Sequence, residues 1–176
     1  NQKVKWMFDC QSNECKQNKT ISIIPAIYVS SLPYLRVQPP SIDTQTQGMS
    51  IWSQASFKDL HKPETNEYTV AIPTYSTRRW DFSWYAKTRE GLEEILAPFQ
   101  IQFSISGERI GEDIFRIYDS AKSGGYCRIW ATLLSGWRPG DATDLEIRYT
   151  LCEAVDDGTR TYPAGEYRQI IHVTVA

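Results

Sequence analysis

The residues that could do chemistry in this 176-residue chain are few: two histidines, four cysteines and 21 acidic side chains. A serine nucleophile needs a histidine base within hydrogen-bond reach. His61 falls in a polar loop and His172 on the outward parity of the last apolar alternation. No glycine-flanked serine elbow precedes a helix. Glycoside hydrolysis needs two carboxylates facing each other across a cleft. Glu90, Glu93 and Glu94 instead share one short helical run, where they complement its dipole, and Glu108, Glu112 and Asp113 flank glycines. The aspartates of 141–144 and 156–157 offer oxygen ligands for calcium, but no twelve-residue hand loop surrounds them, and turn aspartates ordinarily bond their own backbone. The glycines of 107–111 and 124–125 lack the lysine-serine that follows in a phosphate loop. The expectation is therefore a non-enzymatic protein with no cofactor and no bound metal.

The cysteines are Cys10, Cys15, Cys127 and Cys152. An even count predicts two disulfides and an extracellular or cell-surface location; four reduced thiols are the alternative. Zinc is disfavoured, because a Cys-x4-Cys spacing is wide and no second tight pair exists. Local pairing, Cys10 with Cys15 and Cys127 with Cys152, is the first choice. Strand parity counts against the second pair: Cys127 shares a face with Ile129, Ala131 and Leu133, whereas Cys152 shares one with Thr150, Arg148 and Glu146. A bulge reconciles them; otherwise an N-terminal cysteine reaches one of the two. Asn18-Lys19-Thr20 fits a glycosylation acceptor in a glycosylating host.

Aromatic residues are more informative, with 6 tryptophans and 10 tyrosines. Most belong in a core. Trp52, Tyr75, Trp137 and Tyr162 fall in loops or at strand ends, where exposed rings could stack on the faces of sugars. The competing expectation is that Trp137 and Tyr162 plug the ends of the fold.

The elements that must position these residues are mostly strands. Trp80, Phe82, Trp84 and Ala86 alternate with Asp81, Ser83 and Lys87, and Phe99, Ile101, Phe103 and Ile105 alternate with polar neighbours; this is the period of a half-buried strand. The runs 20–29 (broken by Pro25, suggesting an edge or a bend), 67–73, 126–134 (six or more apolar members), 145–151 and 167–175 also read as strands, with turns at 137–141 and 156–158. Ile171, Val173 and Val175 should point inward, His172 and Thr174 outward. Thr88 is placed to cap a helix over 89–97, which Pro98 ends. The stretch 32–62, rich in proline, serine and threonine, reads as a long extended excursion carrying short edge strands. Together these predict an all-β antiparallel sandwich with one short connecting helix. Residues 20–176 form a single domain and 1–19 an N-terminal arm holding Cys10 and Cys15. Charged residues are 23% of the chain and the net charge is −2, so disorder and nucleic-acid binding are not expected. No apolar stretch reaches the length of a membrane span.

The segments Trp137-Arg138-Pro139-Gly140 and Tyr162-Pro163-Ala164-Gly165-Glu166-Tyr167, each leading into a strand, resemble the closing hairpins of immunoglobulin-like domains of secreted prokaryotic surface proteins. The resemblance covers the last third of the chain and implies a sandwich without catalytic residues. It suits a structural or adhesive subunit of a surface filament or other assembly. Lys3 to Phe8 is β-prone, and Val4, Trp6 and Phe8 share one parity, so this arm could complete the open sheet edge of another copy or surface protein, or pair within its own chain. The alternative function is a carbohydrate-binding module, with glycans as partners.

Overall fold

Alternating apolar residues build two sheets that face each other through their apolar sides. The computed structural model describes residues 26–41, 48–55, 60–122 and 124–176. In chain order the strands are β1 (Ile27–Val29), β2 (Leu32–Gln38), β3 (Met49–Ser50), β4 (Thr65–Ile72) and β5 (Arg78–Ala86). Helix α1 (Arg89–Leu96) follows, then β6 (Gln100–Ile105), β7 (Glu108–Ile110), β8 (Arg116–Lys122) and β9 (Gly125–Ser135). The chain closes with β10 (Ala142–Leu151), β11 (Val155–Asp156), β12 (Thr161–Tyr162) and β13 (Gly165–Val175). One sheet runs β1-β2-β9-β5-β3, with β8 also on β9; the other runs β4-β13-β10-β6-β7; β11 and β12 form a small separate ribbon. Among the described residues the predicted all-β sandwich with a single short α-helix is the observed architecture. It is antiparallel except where β4 joins β13 and β3 joins β5. Both parallel additions sit at sheet edges reached by long connections, which a hairpin cannot supply.

Trp80, Phe82 and Trp84 face Thr132, Trp130 and Arg128 across the β5–β9 pair. Opposite residues in an antiparallel pair share a face, so the even-numbered positions of both strands look toward the second sheet. That sheet answers with Leu145, Ile147 and Tyr149 of β10, Phe103 and Ile105 of β6, and Ile171 and Val173 of β13, all buried. In β13 the predicted parity holds, with Ile171, Val173 and Val175 inward and Thr174 exposed. Helix α1 begins where expected: the Thr88 hydroxyl accepts the Gly91 amide at 3.0 Å, and Leu92 and Ile95 are its buried stripe. Its Glu93 pairs with Arg128, whose guanidinium also donates to Asp119. Strand β8 was not visible in the sequence, because its RIYDSAK pattern has one strong apolar residue, Ile117, and that side chain is largely exposed.

Both faces of β9 are largely buried, in keeping with its many apolar residues. Ala131, Leu133 and Cys127 lie on the face turned away from the second sheet, yet are 0%, 1% and 2% exposed. The two described ends of the β2–β3 connection lie against that face: the Ser41 carbonyl accepts from Arg116, and a side chain at Gly48 would meet Leu133. The expected Cys127–Cys152 disulfide is not formed; both thiols are free. Cys127 is buried on the outer side of the first sheet, and Cys152 is exposed just past β10 in the second. The whole sandwich separates them, and no local bulge could bring them together. Cys10, Cys15 and the Asn18 acceptor lie outside the described residues.

The sandwich is closed at one end by Trp137, which is fully buried. The preceding Gly136 has φ +92°, and a Cβ there would collide with the Tyr34 carbonyl. Asp141 holds the turn together by accepting from the Arg138 amide at 2.7 Å and the Tyr34 hydroxyl at 2.7 Å. Replacing Trp137 with alanine should remove about 3–5 kcal/mol of stability by emptying this space. Urea unfolding checks it; a loss below about 1 kcal/mol would show that the ring is not a structural plug.

Candidate binding cleft

One side of the sandwich is left incompletely sealed, and the cause is the shortness of β3. It pairs with β5 only at Met49↔Arg78 and Ser50↔Arg79. The chain then turns into a 3-10 helix, Ile51–Gln54. That turn carries Trp52 back to β5, where its indole N–H donates to the Asp81 carbonyl at 2.6 Å. At the other end of the strand the Lys87 amide donates to the Asp157 carbonyl at 2.8 Å. Backbone groups of a strand residue point to one side, and the side alternates along the strand. Asp81 and Lys87 both turn outward from the sheet, so Ser83 and Tyr85 between them do the same. Among the described residues nothing pairs with the N–H and C=O groups of Ser83 and Tyr85 on that side.

A cavity of about 370 Å³ lies along this stretch, lined by all five residues from Asp81 to Tyr85. Its remaining walls are Trp52, Leu60, Tyr149, Asp157, Tyr162 and Gln169. The volume falls at the small end of the roughly 300–1,000 Å³ usual for ligand pockets. Its floor is aromatic. Trp84 lies 5.0 Å from Tyr162, 5.6 Å from Tyr149 and 5.3 Å from Phe99 between ring centroids, and Phe82 lies 5.3 Å from Tyr149. Each such pair adds about 0.5–1.5 kcal/mol beyond area burial, so the floor is rigid. Burial pushes the Tyr149 phenol far above its ordinary value. It therefore stays neutral across the physiological range.

The lips of the cleft are set by local chemistry. Trp52 packs edge-on against Tyr68 of β4, with centroids 5.4 Å apart. The ribbon of β11 and β12 carries Tyr162 and Asp157. Burial raises the Asp157 carboxyl, but bonds donated by Thr159, Arg160 and Tyr162 outweigh it and hold the group below its ordinary value. The Asp157 carboxylate accepts the Thr159 amide at 2.7 Å and the Arg160 amide at 2.8 Å, and Asp156 accepts the Gly158 amide at 2.7 Å. These aspartates are thus spent on their own turn rather than aimed at a cation. Among the described residues no three metal-ligating side chains gather.

Two of the four aromatics singled out in the sequence, Trp52 and Tyr162, meet at this cleft. Trp137 does not, being buried in the core as the plug foreseen in the competing expectation. Tyr75 does not either. It is 76% exposed on the β4–β5 turn, held at φ 54° with its amide bonded to the Trp137 carbonyl. The edge groups of Ser83 and Tyr85 were missed, because a free edge depends on how far a neighbouring strand runs. The candidate assembly strand Val4, Trp6 and Phe8 lies outside the described residues.

The remaining candidates lie elsewhere. His61 rests against the Arg160 guanidinium. His172 sits on the outer face of the second sheet between Asp144, 2.8 Å from its Nδ1, and Glu67, 3.4 Å from its Nε2. The same face carries a cross-strand network in which Arg168 donates to both Glu146 oxygens, at 2.7 and 2.9 Å. Glu108 accepts the Ser30 amide at 2.8 Å. The acids weighed for hydrolysis do not converge on the aromatic cleft.

No protein-family model matches the chain, and no curated protein matches it in sequence. One chain of the solved structure "Structure of PbICP-C in complex with falcipain-2" aligns with 73% of this chain and 100% of its own length. The identity is 13% and the TM-score 0.41. At those values the likeness assigns neither a fold family nor a partner. Among the described residues no helix is long and apolar enough to cross a membrane.

The histidine generates a pH prediction. Hydrogen bonding to Asp144, joined by Glu67, holds the folded-state pKa of His172 above the ordinary histidine value. A raised basic group stabilises the fold fully below its unfolded pKa, about 6.5, and loses that contribution as pH rises through the folded value. His172→Gln should therefore flatten the decline in stability across and above neutrality. Melting temperatures from pH 6 to 8 test this, together with the NMR titration of the ring. A His172 midpoint at or below 6.5 would contradict it.

Proposed function

We propose that this domain is a non-enzymatic assembly or adhesion module that takes an extended segment of a partner protein as an added strand on β5. The observation that supports the reading is the pair of outward-facing residues, Ser83 and Tyr85, set above an aromatic cleft and bracketed by two occupied positions. Main-chain groups of an edge supply affinity for a strand, and pockets for its alternate side chains supply selectivity. A segment laid along Asp81–Tyr85 would pair with Ser83 and Tyr85. Every second side chain would then drop toward Phe82 and Trp84, and the others would face outward beside Asp81. The preferred partner is a short stretch alternating apolar and polar residues, since the Asp81 carboxylate already accepts from Arg79 at 3.1 Å and Ser50 at 2.9 Å. The surface-filament role belongs to this reading, as does an extracellular location.

Ser83→Pro isolates the claim. Its N–H points away from β9, so proline removes an edge donor and leaves the β5–β9 ladder intact, a placement sheets tolerate. A dye-labelled octapeptide alternating valine with lysine should bind the wild-type protein saturably by fluorescence anisotropy. The Ser83→Pro or Tyr85→Pro variant, checked for folding by near-UV circular dichroism, should weaken that binding about tenfold or more. Equal binding to the wild type and a folded proline variant would rule the edge out.

Convergence of Trp52 and Tyr162 favours a second reading, a carbohydrate site in which these rings stack on sugar faces. A glycan array separates the two. Glycan binding that disappears in Trp52→Ala and Tyr162→Ala but survives Ser83→Pro would favour the sugar.

A further inference from the structure

We infer that the cleft beside β5 selects a strand carrying a carboxamide at one inward position, recognised from the second sheet by the Gln169 amide and the Tyr149 hydroxyl; this rests on the strand-acceptor reading above. Gln169 sits on the inward parity of β13 with Tyr167, Ile171 and Val173, and is only 4% exposed. A polar side chain buried that deeply is ordinarily hydrogen-bonded. Among the described residues the Gln169 side chain has no hydrogen-bond partner, and it lines the cavity. The Tyr149 hydroxyl is placed likewise: its residue is 3% exposed, lines the same cavity, and bonds through that oxygen to no described residue. Both groups keep access to the open space of the cleft, unlike the indole N–H groups of Trp80 and Trp84, which are sealed off without a partner.

The topology sets this pair under the lane that an added strand would take. Phe82 and Trp84 of β5 lie against Tyr149 of β10. Trp52, which continues from β3 on the far side of β5, reaches Tyr68 of β4. Strand β13 runs between β10 and β4, so the lane next to β5 lies over β13 and Gln169. Tyr149 is level with Tyr167, two residues before Gln169 on the same face, a diagonal within reach of long side chains. Stacked sheets lie about 10 Å apart. A glutamine directed inward from the added strand can meet Gln169 within that gap, where a valine stops short.

The chemistry of the pair selects a neutral group that both donates and accepts. The Gln169 amide offers a carbonyl and two N–H donors, and a phenol does either. A carboxamide can answer with reciprocal N–H···O bonds. A wholly apolar occupant would take solvent from both groups and leave them unpaired, which forfeits affinity. Among the described residues the cavity lining includes Asp81 and Asp157 but no lysine, arginine or histidine, so a carboxylate is repelled. Burial keeps the Tyr149 phenol neutral, and the same desolvation penalises a charged occupant of either sign. An ammonium finds no free carboxylate, since Asp81 accepts from Ser50 and Arg79, and Asp157 from its own turn.

The test uses the full chain and the dye-labelled valine-lysine octapeptide, with each valine replaced in turn by glutamine, by methionine or by lysine. Methionine matches the length of glutamine without its amide. At one position the glutamine peptide should bind the wild type about tenfold more tightly than the methionine peptide. Gln169→Leu and Tyr149→Phe, each checked by cooperative thermal unfolding, should shrink that preference, and Gln169→Leu should turn it toward methionine. Equal binding of the glutamine and methionine peptides at every position, with both lost on Ser83→Pro, would leave the edge a strand acceptor but overturn the carboxamide site. A glutamine preference unchanged in folded Gln169→Leu and Tyr149→Phe would overturn the assignment of these residues. Tighter binding of a lysine-substituted peptide than of its glutamine counterpart would make the cleft a cation site and overturn the inference. No binding of any of these peptides to the wild type would remove the strand-acceptor reading itself.

Discussion

A β-strand in the interior of a sheet has both rows of backbone groups paired; among the described residues β5 has one row paired along its length by β9, and the other met by β3 at Arg78 and Arg79 alone. Its even-numbered residues face Trp130, Thr132 and their neighbours on β9, while beyond the β3 pairs its other edge is engaged, among the described residues, at Asp81 and Lys87. Trp52 takes the Asp81 carbonyl and Asp157 takes the Lys87 amide. These two bonds keep the 3-10 helix and the β11–β12 ribbon at either end of the strand and leave Ser83 and Tyr85 between them. The cleft is a consequence of where those anchors fall, since both lips are carried by the segments that make them.

The floor beneath the edge explains why the opening does not collapse. Trp84, Tyr162, Tyr149, Phe99 and Phe82 contact one another in a continuous cluster that extends to Tyr167, stacked on Tyr149 with centroids 4.9 Å apart. Large rings with few rotamers lose little freedom on packing, and interiors this dense do not flow to fill a gap. The groove therefore combines a rigid apolar base with unpaired main chain. A buried apolar base alone would be core, and an edge alone would be an aggregation hazard.

Sequence patterning revealed the parts that depend on local periodicity. The inward set of β5 and the inward set of β13 follow from period two, and the start of α1 from Thr88. What it could not reveal depends on distant pairing. β9 reads as a strongly apolar strand, but the sequence does not show that its outer face, with Ala131, Leu133 and Cys127, is buried as well. The parity argument against pairing Cys127 with Cys152 holds, since Cys127 is buried and Cys152 exposed; the disulfide expectation came from an even cysteine count, which carries no information about distance. Trp137 looked like a loop aromatic because the turn around it is polar, yet the chain reversal at Gly136 drives the ring inward. Trp52 and Tyr162 were legible as unusual aromatics; that they line one cavity required the three-dimensional path of the 3-10 helix and the small ribbon.

The claim that β5 offers a row of unpaired groups can be read amide by amide. Hydrogen exchange followed by NMR in the full-length protein tests it most directly. Phe82 and Trp84, bonded to β9, should exchange slowly, and Ser83 and Tyr85 should exchange at rates typical of exposed loops, becoming protected when a strand-forming peptide is added. Slow exchange of Ser83 and Tyr85 in the free protein, equal to that of Phe82 and Trp84, would contradict the account, because the edge would then already be paired by some other part of the chain.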